Sequence, residues 1–384
     1  MKLLLVDTNI ASMPIFMAAK EIGAEVHVIG NNSKDVLCNI ADKYWQKDYS
    51  KVDVLEELIL REGFDYVVPG SNDQSYLSCM SLSDAHIRPG YESLKNTLTL
   101  NEKSQFRELC GRIDLSAPIK YDFSKNDFFE APLIVKPVDA YSGKGITLIE
   151  ESDSALLDKA IKLAKDHSHC NNFVIEQYLD GQLYSHSAFI EGGNIIKDFF
   201  VKEDCITYPF AVDTSCCLRR DSVGEFAGLT SDIELLIKEL NLNDGLLHTQ
   251  FIVSNGRHYI IEVTRRCPGD LYSHLIQLST GDKYAKAYLY GFLGMNFDWG
   301  EGRSLKNILR HSLTTEERGV FSSVDFYNLE KKFELFSLVK AGTLCDSLSY
   351  SRLGIIFIEL DSEIESNMLY QAFIERKVYK VKLL

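Results

Sequence analysis

Two lysines and a cluster of small residues lie close together before the middle of the chain. Within residues 131–145 they are Lys136, Ser142, Gly143, Lys144 and Gly145. Small residues allow backbone N–H groups to come close to an anion, and lysines supply point charges for phosphate oxygens. The pattern predicts a loop that folds over the phosphates of a nucleotide. An ordinary exposed hairpin with solvated lysines is the alternative, because a lone glycine-rich loop is weak evidence.

Polar side chains also alternate along a predicted hairpin whose strands are residues 248–253 and 257–264. We expect a three-residue loop at 254–256, because it pairs residue 253 with residue 257 and collects the odd-numbered apolar residues on one face. The polar face then holds His248, Gln250, Glu262 and Thr264. In this register Glu262 is opposite His248 and diagonal to Gln250.

One carboxylate and one amide on that polar face could bind a magnesium ion. Magnesium in nucleotide sites takes few carboxylates, because phosphate and water oxygens supply most of its ligands. Glu262 and Gln250 are a small but workable set, and a solvent-exposed polar face is the alternative. Arg265 and Arg266 follow directly, and their guanidinium groups suit the phosphate or carboxylate groups of a ligand.

Three other basic residues are candidates for binding anions. Lys103 lies in the first turn of a helix expected over residues 101–110, where the helix dipole disfavours a cation unless an anion binds beside it. Arg219 and Arg220 follow an extended stretch over residues 205–217, and one of them would bind a substrate carboxylate. A solvated lysine and a surface arginine pair are the respective alternatives.

The first hundred residues alternate between short apolar strands and helical segments. Strands are expected at 3–6, 25–29 and 66–68, and helices at 14–22 and 52–62. This order predicts a parallel sheet whose ligands lie beyond the strand C-termini, at loops 7–12 and 69–73. Asn72 and Asp73 either contact a polar substrate there or cap the next helix. Neither loop is GxGxxG, which disfavours a dinucleotide-binding fold.

Length and composition indicate a globular protein of two or three domains, because 384 residues are more than a single hydrophobic core usually holds. The formal net charge of -14 disfavours nucleic acid as a partner. No apolar run reaches the about 18 residues that a membrane-spanning helix needs, so no membrane is expected and the cytoplasm is the predicted location. The nine cysteines show no CxxC pair and no zinc-type spacing, and we interpret them as reduced thiols.

Five features follow one another in an order that resembles the ATP-grasp superfamily. They are Lys103, the Ile-Val-Lys136-Pro strand, the loop 141–145, the Val-Ile-Glu176-Gln-Tyr-Leu connector and Ile-Ile-Glu262-Val-Thr-Arg-Arg266. The resemblance covers about residues 100–295. The N-terminal unit resembles the domain that precedes ATP-grasp modules, and the tail resembles the C-terminal piece of the biotin-carboxylase-like branch.

The resemblance implies an α/β and α+β protein of three parts. An N-terminal parallel α/β pre-ATP-grasp domain would span residues 1–99 and an ATP-grasp domain residues 100–300, with a lid lobe at about 112–180 and a second lobe at about 181–300. A small β-rich C-terminal extension would span residues 301–384.

The resemblance also implies roles for individual residues. ATP would be bound by Lys103, Lys136, Ser142, Gly143, Gly145, Glu176, Gln177, Tyr178, Leu179 and Glu262. Mg²⁺ or Mn²⁺ would be bound by Gln250, Glu262 and Thr264. Arg266 and Lys144 would act in catalysis, and Asp73, Arg219 and Arg220 would contact substrates.

Three positions depart from the family pattern. The family usually has Asn where Thr264 stands, often has an acidic ribose ligand where Leu183 stands, and usually has Asp or Glu where Gln250 stands. These departures bear on metal and ribose binding.

The implied reaction is that of a carboxylate–amine ligase, which forms an amide through an acyl phosphate and releases ADP and phosphate. Its partners would be a small carboxylate and a small amine. A bicarbonate- or purine-pathway enzyme and a catalytically reduced ATP-binding sensor are the alternatives. A homodimer is left open by the sequence.

Overall fold

A computed structural model describes residues 1–83, 89–122, 131–140, 143–208, 210–219, 226–300, 304–327, 329–345 and 351–384. Two of the predicted site residues, Ser142 and Arg220, lie outside these ranges.

The chain begins with a four-stranded parallel sheet in the order β3-β2-β1-β4. Its elements are β1 Lys2–Val6, α1 Met13–Glu21, β2 Glu25–Gly30, β3 Lys43–Gln46, α2 Val52–Glu62, β4 Tyr66–Pro69 and α3 Asp73–Met80. The predicted parallel sheet is confirmed, and β3 is a strand that the sequence pattern missed. Side chains of β1 and β4 are buried on both faces, as parallel strands between helices require.

Two helices lead from this N-terminal unit into a small antiparallel lobe, here called the lid lobe. The elements are α4 Leu94–Asn101, α5 Lys103–Arg112, β5 Lys120–Tyr121, β6 Leu133–Pro137, β7 Thr147–Ile149, α6 Ser154–Asp166 and β8 Phe173–Gln177. The lid sheet has the order β5-β8-β6-β7. Strand β6 ends at Pro137, which has no N–H to donate to a neighbouring strand, and α6 covers the sheet with Leu157, Ala160 and Ala164.

The rest of the chain builds one large antiparallel sheet and the elements that cover it. They are β9 Gln182–Glu191, β10 Asn194–Asp204, β11 Thr214–Cys217, α7 Ala227–Leu240, β12 Gly245–Ser254, β13 Arg257–Thr264, α8 Tyr272–Thr280, α9 Tyr284–Leu293, β14 Asn307–Thr315, β15 Gly319–Phe326, β16 Phe333–Ser337, β17 Leu344–Cys345, β18 Ser351–Leu360, α10 Glu363–Ile374 and β19 Tyr379–Leu383. Eight strands follow the order β13-β12-β9-β10-β11-β14-β18-β16. The sheet therefore continues without a break across residue 300, where the sequence predicts a domain boundary.

The large sheet buries apolar side chains on both faces. Helices α8 and α9 join it to the N-terminal unit in one continuous core, and α4, α5 and α7 cover the opposite face. This packing fixes the N-terminal unit against the sheet, so loops from both can share one site. The nine cysteines are free thiols, as predicted. Within the described ranges, every helix is too short or too polar to cross a bilayer.

The turn between β12 and β13 differs from the predicted one. Asn255 and Gly256 have positive φ angles of 49° and 73°, and Ser254 pairs with Arg257. These angles and this pairing define a two-residue hairpin turn. The expected three-residue loop is therefore wrong.

A bulge inside β13 makes the register shift that we expected at the turn. Phe251 pairs with Ile260, whereas Gln250 pairs with Glu262, so Ile261 is the extra residue. The bulge keeps Phe251 and Ile260 in the core while Ile261 and Glu262 both line a cavity. Glu262 is consequently opposite Gln250 and not diagonal to it.

Candidate active site

A cavity of about 1100 Å³ lies between the N-terminal unit, the lid lobe and the large sheet. Lys103 begins α5, Lys136 lies on β6 and Glu262 lies on β13, and all three line this cavity. The fold thus brings two lysines and one carboxylate of the predicted ATP site to a common space.

Lys136 is held by a buried triad of charged side chains. Its Nζ is 2.7 Å from Oε2 of Glu176, and Nε of Arg107 is 2.7 Å from Oε1 of the same carboxylate. Glu176 is 0% exposed. Although burial opposes its ionisation, Arg107 and Lys136 hold the pKa of Glu176 at about 2. Glu176 therefore stays charged and fixes the Lys136 ammonium at the cavity.

Arg107 was not among the predicted site residues. Its Nη2 also donates to the carbonyl oxygen of Ile261 at 2.7 Å, so one guanidinium ties the triad to the bulge of β13. The only sequence signal was an arginine between apolar residues on a helix. The side chain of Glu176 itself does not line the cavity, whereas the next three residues do.

Gln177 ends β8, and Tyr178 and Leu179 follow it in the connector that resembles the ATP-grasp motif. The N–H of Gln177 and the N–H of Tyr178 already donate to the carbonyls of Ile119 and Pro132. Leu179 keeps a backbone N–H with no backbone acceptor in the described part of the chain. Apolar side chains surround this point of the cavity, namely Ile134, Ile146, Leu148, Leu183, Ile252 and Ile261. An apolar slot with one free amide suits a planar base.

Lys103 forms no ion pair with a carboxylate among the described residues, although its charge helps to lower the pKa of Asp73. Its Nζ donates to the carbonyl oxygen of Ala140 at 3.3 Å. Glu102 caps α5 by accepting from the N–H groups of Ser104 and Gln105, which leaves Lys103 free to face the cavity. The position suits a lysine that binds an anion.

The predicted metal ligands lie side by side on β12 and β13. Gln250 donates through Nε2 to Oε2 of Glu203 at 2.8 Å, so its amide oxygen remains available. Glu262 makes no hydrogen bond or ion pair with any described residue and lines the cavity. Oxygen donors of this kind suit Mg²⁺. Thr264 is buried, and its hydroxyl donates to Asp73 at 3.3 Å.

Glu203 is a cavity residue that the sequence did not reveal. It lies on β10, is 4% exposed, and accepts from Ser185 Oγ at 2.8 Å as well as from Gln250. Burial raises its pKa. Among the described residues, no three His, Cys, Asp or Glu side chains form a metal-binding group.

Arg266 and Asp73, predicted separately for catalysis and for substrate contact, form one bidentate pair. Nε and Nη2 of Arg266 each lie 2.8 Å from an oxygen of Asp73. Burial opposes the ionisation of Asp73, but the Arg266 guanidinium holds the pKa of Asp73 below its usual range. Asn72 caps α3 by accepting from the N–H of Ser75, so the capping alternative holds for Asn72 while Asp73 faces the cavity.

The glycine-rich loop rests on a second loop that joins β10 to β11. Gly143 has φ 73° and lines the cavity, and its carbonyl accepts from the Tyr208 hydroxyl at 3.2 Å. A Cβ on Gly143 would lie 2.7 Å from Cβ of Phe210. Gly145, with φ 72°, packs against His167 and Pro137 outside the cavity lining, and Lys144 is exposed. Of this loop, the described structure therefore brings only Gly143 to the cavity.

Arg219 does not reach the cavity. It is exposed, and its Nη2 donates to Oδ1 of Asn307 at 3.3 Å. The alternative of a surface arginine describes this residue, and we do not carry it into the site. Two other arginines, Arg310 on β14 and Arg352 on β18, line the cavity and face Asp270.

The N-terminal unit contributes an acidic wall to the cavity. Its strand-end loops supply Asp7, Asp35, Asp48 and Asp73, as well as several asparagine and serine side chains. Asp73 is paired with Arg266, whereas Asp35 accepts from Thr8 and Asn32. Every charged residue of the described cavity lining that precedes Lys103 in the sequence is acidic.

A two-lobed α+β clamp behind a parallel α/β unit, with lysines on one side and carboxylates on the other, defines a nucleotide-binding protein. Residues 129–274 match the family model of the ATP-grasp domain. This part of the chain is therefore an ATP-grasp domain, as its motifs predict, and the protein has the predicted α/β and α+β architecture.

One curated relative is the carbamoyl phosphate synthase large chain of Clostridium perfringens (strain SM101), 23% identical over 280 residues. The match covers 68% of this chain and 25% of that relative, so the chain spans about a quarter of its length.

Two solved structures share the whole architecture. The L-amino acid ligase from Bacillus licheniformis aligns with a TM-score of 0.81 at 18% identity, covering 100% of this chain and 98% of that one. Phosphoribosylglycinamide synthetase from Anaerococcus prevotii aligns with a TM-score of 0.77 at 16% identity, covering 100% and 99%. Identities this low establish the fold alone.

Proposed function

We propose that the protein is an ATP-dependent carboxylate–amine ligase that forms an amide through an acyl phosphate. The observation that carries the proposal is the meeting of Lys103, Lys136, Glu262 and Arg266 in one cavity from three separate parts of the fold, namely α5, β6, and β13 with the residues that follow it. The match of residues 129–274 to the ATP-grasp domain supports ATP as the nucleotide.

ATP binds with its base in the apolar slot beside Leu179 and its phosphates towards the two lysines. The Leu179 N–H donates to the base, while Lys103 and Lys136 neutralise phosphate oxygens. Lys136 is fixed by Glu176, so it is positioned before ATP arrives. Gly143 allows the loop above the phosphates to close without a side chain in the way.

The residues of the cavity then support phosphoryl transfer by positioning and charge neutralisation. A carboxylate oxygen of the substrate attacks the γ-phosphorus, the bond to the bridging oxygen of ADP breaks, and an acyl phosphate forms. Arg266 offers the transferring phosphate the second N–H of Nη1, because Asp73 occupies Nε and Nη2 and the first Nη1 N–H donates to the carbonyl oxygen of Cys267 at 3.5 Å. Glu262 and the amide oxygen of Gln250 would hold Mg²⁺, which when bound offsets the charge of the phosphates.

An amine completes the reaction. The bound ammonium first gives up a proton, the neutral nitrogen then attacks the acyl carbon, phosphate leaves, and the nitrogen loses a second proton to give the amide. The acidic N-terminal wall supports an amine as this second substrate, because Asp35 and Asp48 attract a cation and repel a phosphorylated compound. A purine-pathway substrate with a phosphate group fits that wall less well.

A screen for ADP and phosphate release over paired small carboxylates and amines tests the proposal. We expect ADP only when a carboxylate is present, and full turnover only with both. Release of AMP in place of ADP would reject the acyl-phosphate route. ATP binding without ADP release across a broad panel would favour the sensor alternative.

A further inference from the structure

Arg310 is a buried arginine with one end open to the cavity. Its side chain is 2% exposed. Nε donates to the carbonyl oxygen of Asp270 at 2.8 Å and Nη2 to Ser312 Oγ at 3.2 Å. Nη1 makes no hydrogen bond with any described residue, although the side chain lines the cavity. A buried guanidinium with an unused donor indicates a ligand that accepts from it.

The carboxylate nearest to Arg310 is shared with a second arginine. Oδ1 of Asp270 lies 2.6 Å from Nη1 of Arg352, whereas Oδ2 lies 3.6 Å from Nη2 of Arg310. Glu203 and Asp213 also act on Arg310 electrostatically, but neither forms an ion pair with it and both accept hydrogen bonds elsewhere. Arg310 is thus a cation whose close partner is mainly engaged by Arg352.

An apolar surface lies next to this guanidinium. The loop between β10 and β11 lines the cavity with Ile206, Phe210, Ala211 and Val212, hereafter the apolar loop. None of the four belongs to a hydrophobic core, and Ile206 is 47% exposed. Core packing therefore does not explain these side chains.

The apolar loop is fixed in place beside Arg310. Asp213 is buried, and its Oδ2 accepts from the N–H of Ile206 at 2.9 Å and the N–H of Thr207 at 2.6 Å. On the next strand, Ser215 pairs with Arg310 across β11 and β14. The segment 206–215 therefore connects the apolar loop to the strand residue that pairs with Arg310.

We propose that Arg310, with Arg352, binds the carboxylate that is to be phosphorylated and that the apolar loop binds its hydrocarbon part. The acyl substrate is then a small monocarboxylate with an aliphatic or aromatic chain, a class that includes amino acids with apolar side chains. This inference rests on the proposed ligase function and narrows its first substrate.

Arg310 is connected across the large sheet to the residues that are proposed to bind Mg²⁺. Gln250, which faces Glu262, donates to Glu203. Glu203 and Arg310 both pair with Ser215, from the two strands that flank β11, so they lie in one row across the sheet. A carboxylate on Arg310 would therefore lie beside the proposed metal ligands.

Hydroxylamine trapping of the acyl phosphate tests the proposal without knowledge of the amine. The probes are acetate, butyrate, hexanoate and 3-phenylpropionate, with succinate as a dicarboxylate of similar size, each with Mg-ATP. We expect kcat/KM for hydroxamate formation to rise about fourfold per added methylene until the pocket is full. Succinate should be at least tenfold poorer than butyrate.

Two variants with matched controls separate recognition from folding. Arg310→Lys should raise KM for the carboxylate at least tenfold and leave KM for ATP within twofold, because lysine lacks the fork that spans Asp270 and a ligand. Arg219→Lys, an exposed arginine, should change neither constant. Phe210→Ala, at a partly exposed position, should flatten the dependence on chain length, whereas exposed Phe333→Ala should not.

The outcomes distinguish this inference from the proposed function. Three results would overturn the substrate class while the ligase proposal stands. They are a preference for succinate or a phosphorylated acid, an unaltered chain-length profile in Phe210→Ala, and an equal rise of both KM values in Arg310→Lys. ATP binding with no carboxylate able to release ADP would overturn both. If Arg310→Lys does not fold, the chain-length profile of Phe210→Ala decides whether the proposed substrate class stands.

Discussion

Arg266 and Asp73 are joined by two parallel hydrogen bonds of 2.8 Å, and they come from different parts of the fold. Arg266 follows β13 of the large sheet, whereas Asp73 is the first residue of α3 in the N-terminal unit. The pair therefore fixes the orientation of a guanidinium at the junction where both substrates would meet ATP. Its remaining nitrogen, Nη1, donates to the carbonyl oxygen of Cys267 at 3.5 Å and keeps a second N–H for a ligand.

Replacing Arg266 tests whether this donor acts in phosphoryl transfer. We expect Arg266→Ala to reduce ADP production by about 10²- to 10³-fold, because a fixed charge-assisted donor is lost. Arg266→Lys should recover part of the loss. Steady-state ADP release with the best carboxylate and amine measures both, and full activity of Arg266→Ala would contradict the mechanism. Arg61→Ala, an exposed arginine on α2, is the control.

Replacing Glu176 tests the triad that positions Lys136. Glu176→Gln leaves Arg107 and Lys136 without their shared carboxylate in a buried place, and we expect the free energy of unfolding to fall by about 3–5 kcal/mol. Urea denaturation at pH 7 measures the change. Glu57→Gln, which removes an exposed carboxylate paired with Arg61, should cost less than about 1 kcal/mol.

The dependence of the free energy of unfolding on pH should reflect the titration of Glu176. The pKa of Glu176 is about 2 in the folded chain and near 4.5 in the unfolded chain, so its contribution is complete above pH 4.5 and is lost as the pH falls towards 2. The contribution corresponds to about 3 kcal/mol. Urea titrations between pH 3 and pH 7 should therefore show a steeper loss for the wild type than for Glu176→Gln, and parallel curves would refute this.

Gly143→Ala tests whether the contact between the two loops matters for ATP. Gly143 and Gly193 have similar φ angles, 73° and 77°, but a Cβ on Gly193 meets nothing within 4 Å. Both variants carry the same backbone strain, whereas only Gly143→Ala presses on Tyr208 and Phe210. We expect KM for ATP to rise at least fivefold in Gly143→Ala and to stay within twofold in Gly193→Ala. Equal effects would attribute the loss to strain alone.

Titration with Mg²⁺ tests the ligands on β12 and β13. Glu262→Gln removes the carboxylate that has no partner among the described residues, and we expect the Mg²⁺ concentration for half-maximal ADP release to rise at least tenfold. Gln250→Ala should raise it less, because a neutral amide oxygen contributes less charge. Exposed Glu317→Gln should leave the titration unchanged. An unchanged Mg²⁺ requirement in Glu262→Gln would remove this residue from the site.

The sequence by itself determined the order of elements and the chemical types at the cavity. Apolar runs at the first strands predicted the parallel sheet, since buried strands need such residues. The motifs around Lys136 and Glu262 indicated the ATP-grasp fold, because phosphate recognition limits which residues can stand there. Local pattern also gave the cap at Asn72 as one of two alternatives, because a cap depends only on neighbouring backbone groups.

Only the tertiary structure decided which distant side chains meet. The β12–β13 register depends on a bulge anchored by Arg107, 154 residues away from Ile261, and no local pattern encodes that contact. Arg219 stands near a strand end like a ligand but faces solvent, whereas Arg310 lies inside a strand and faces the cavity. Periodicity along a strand gives the two faces of a sheet, but what covers each face is set by packing across the whole chain.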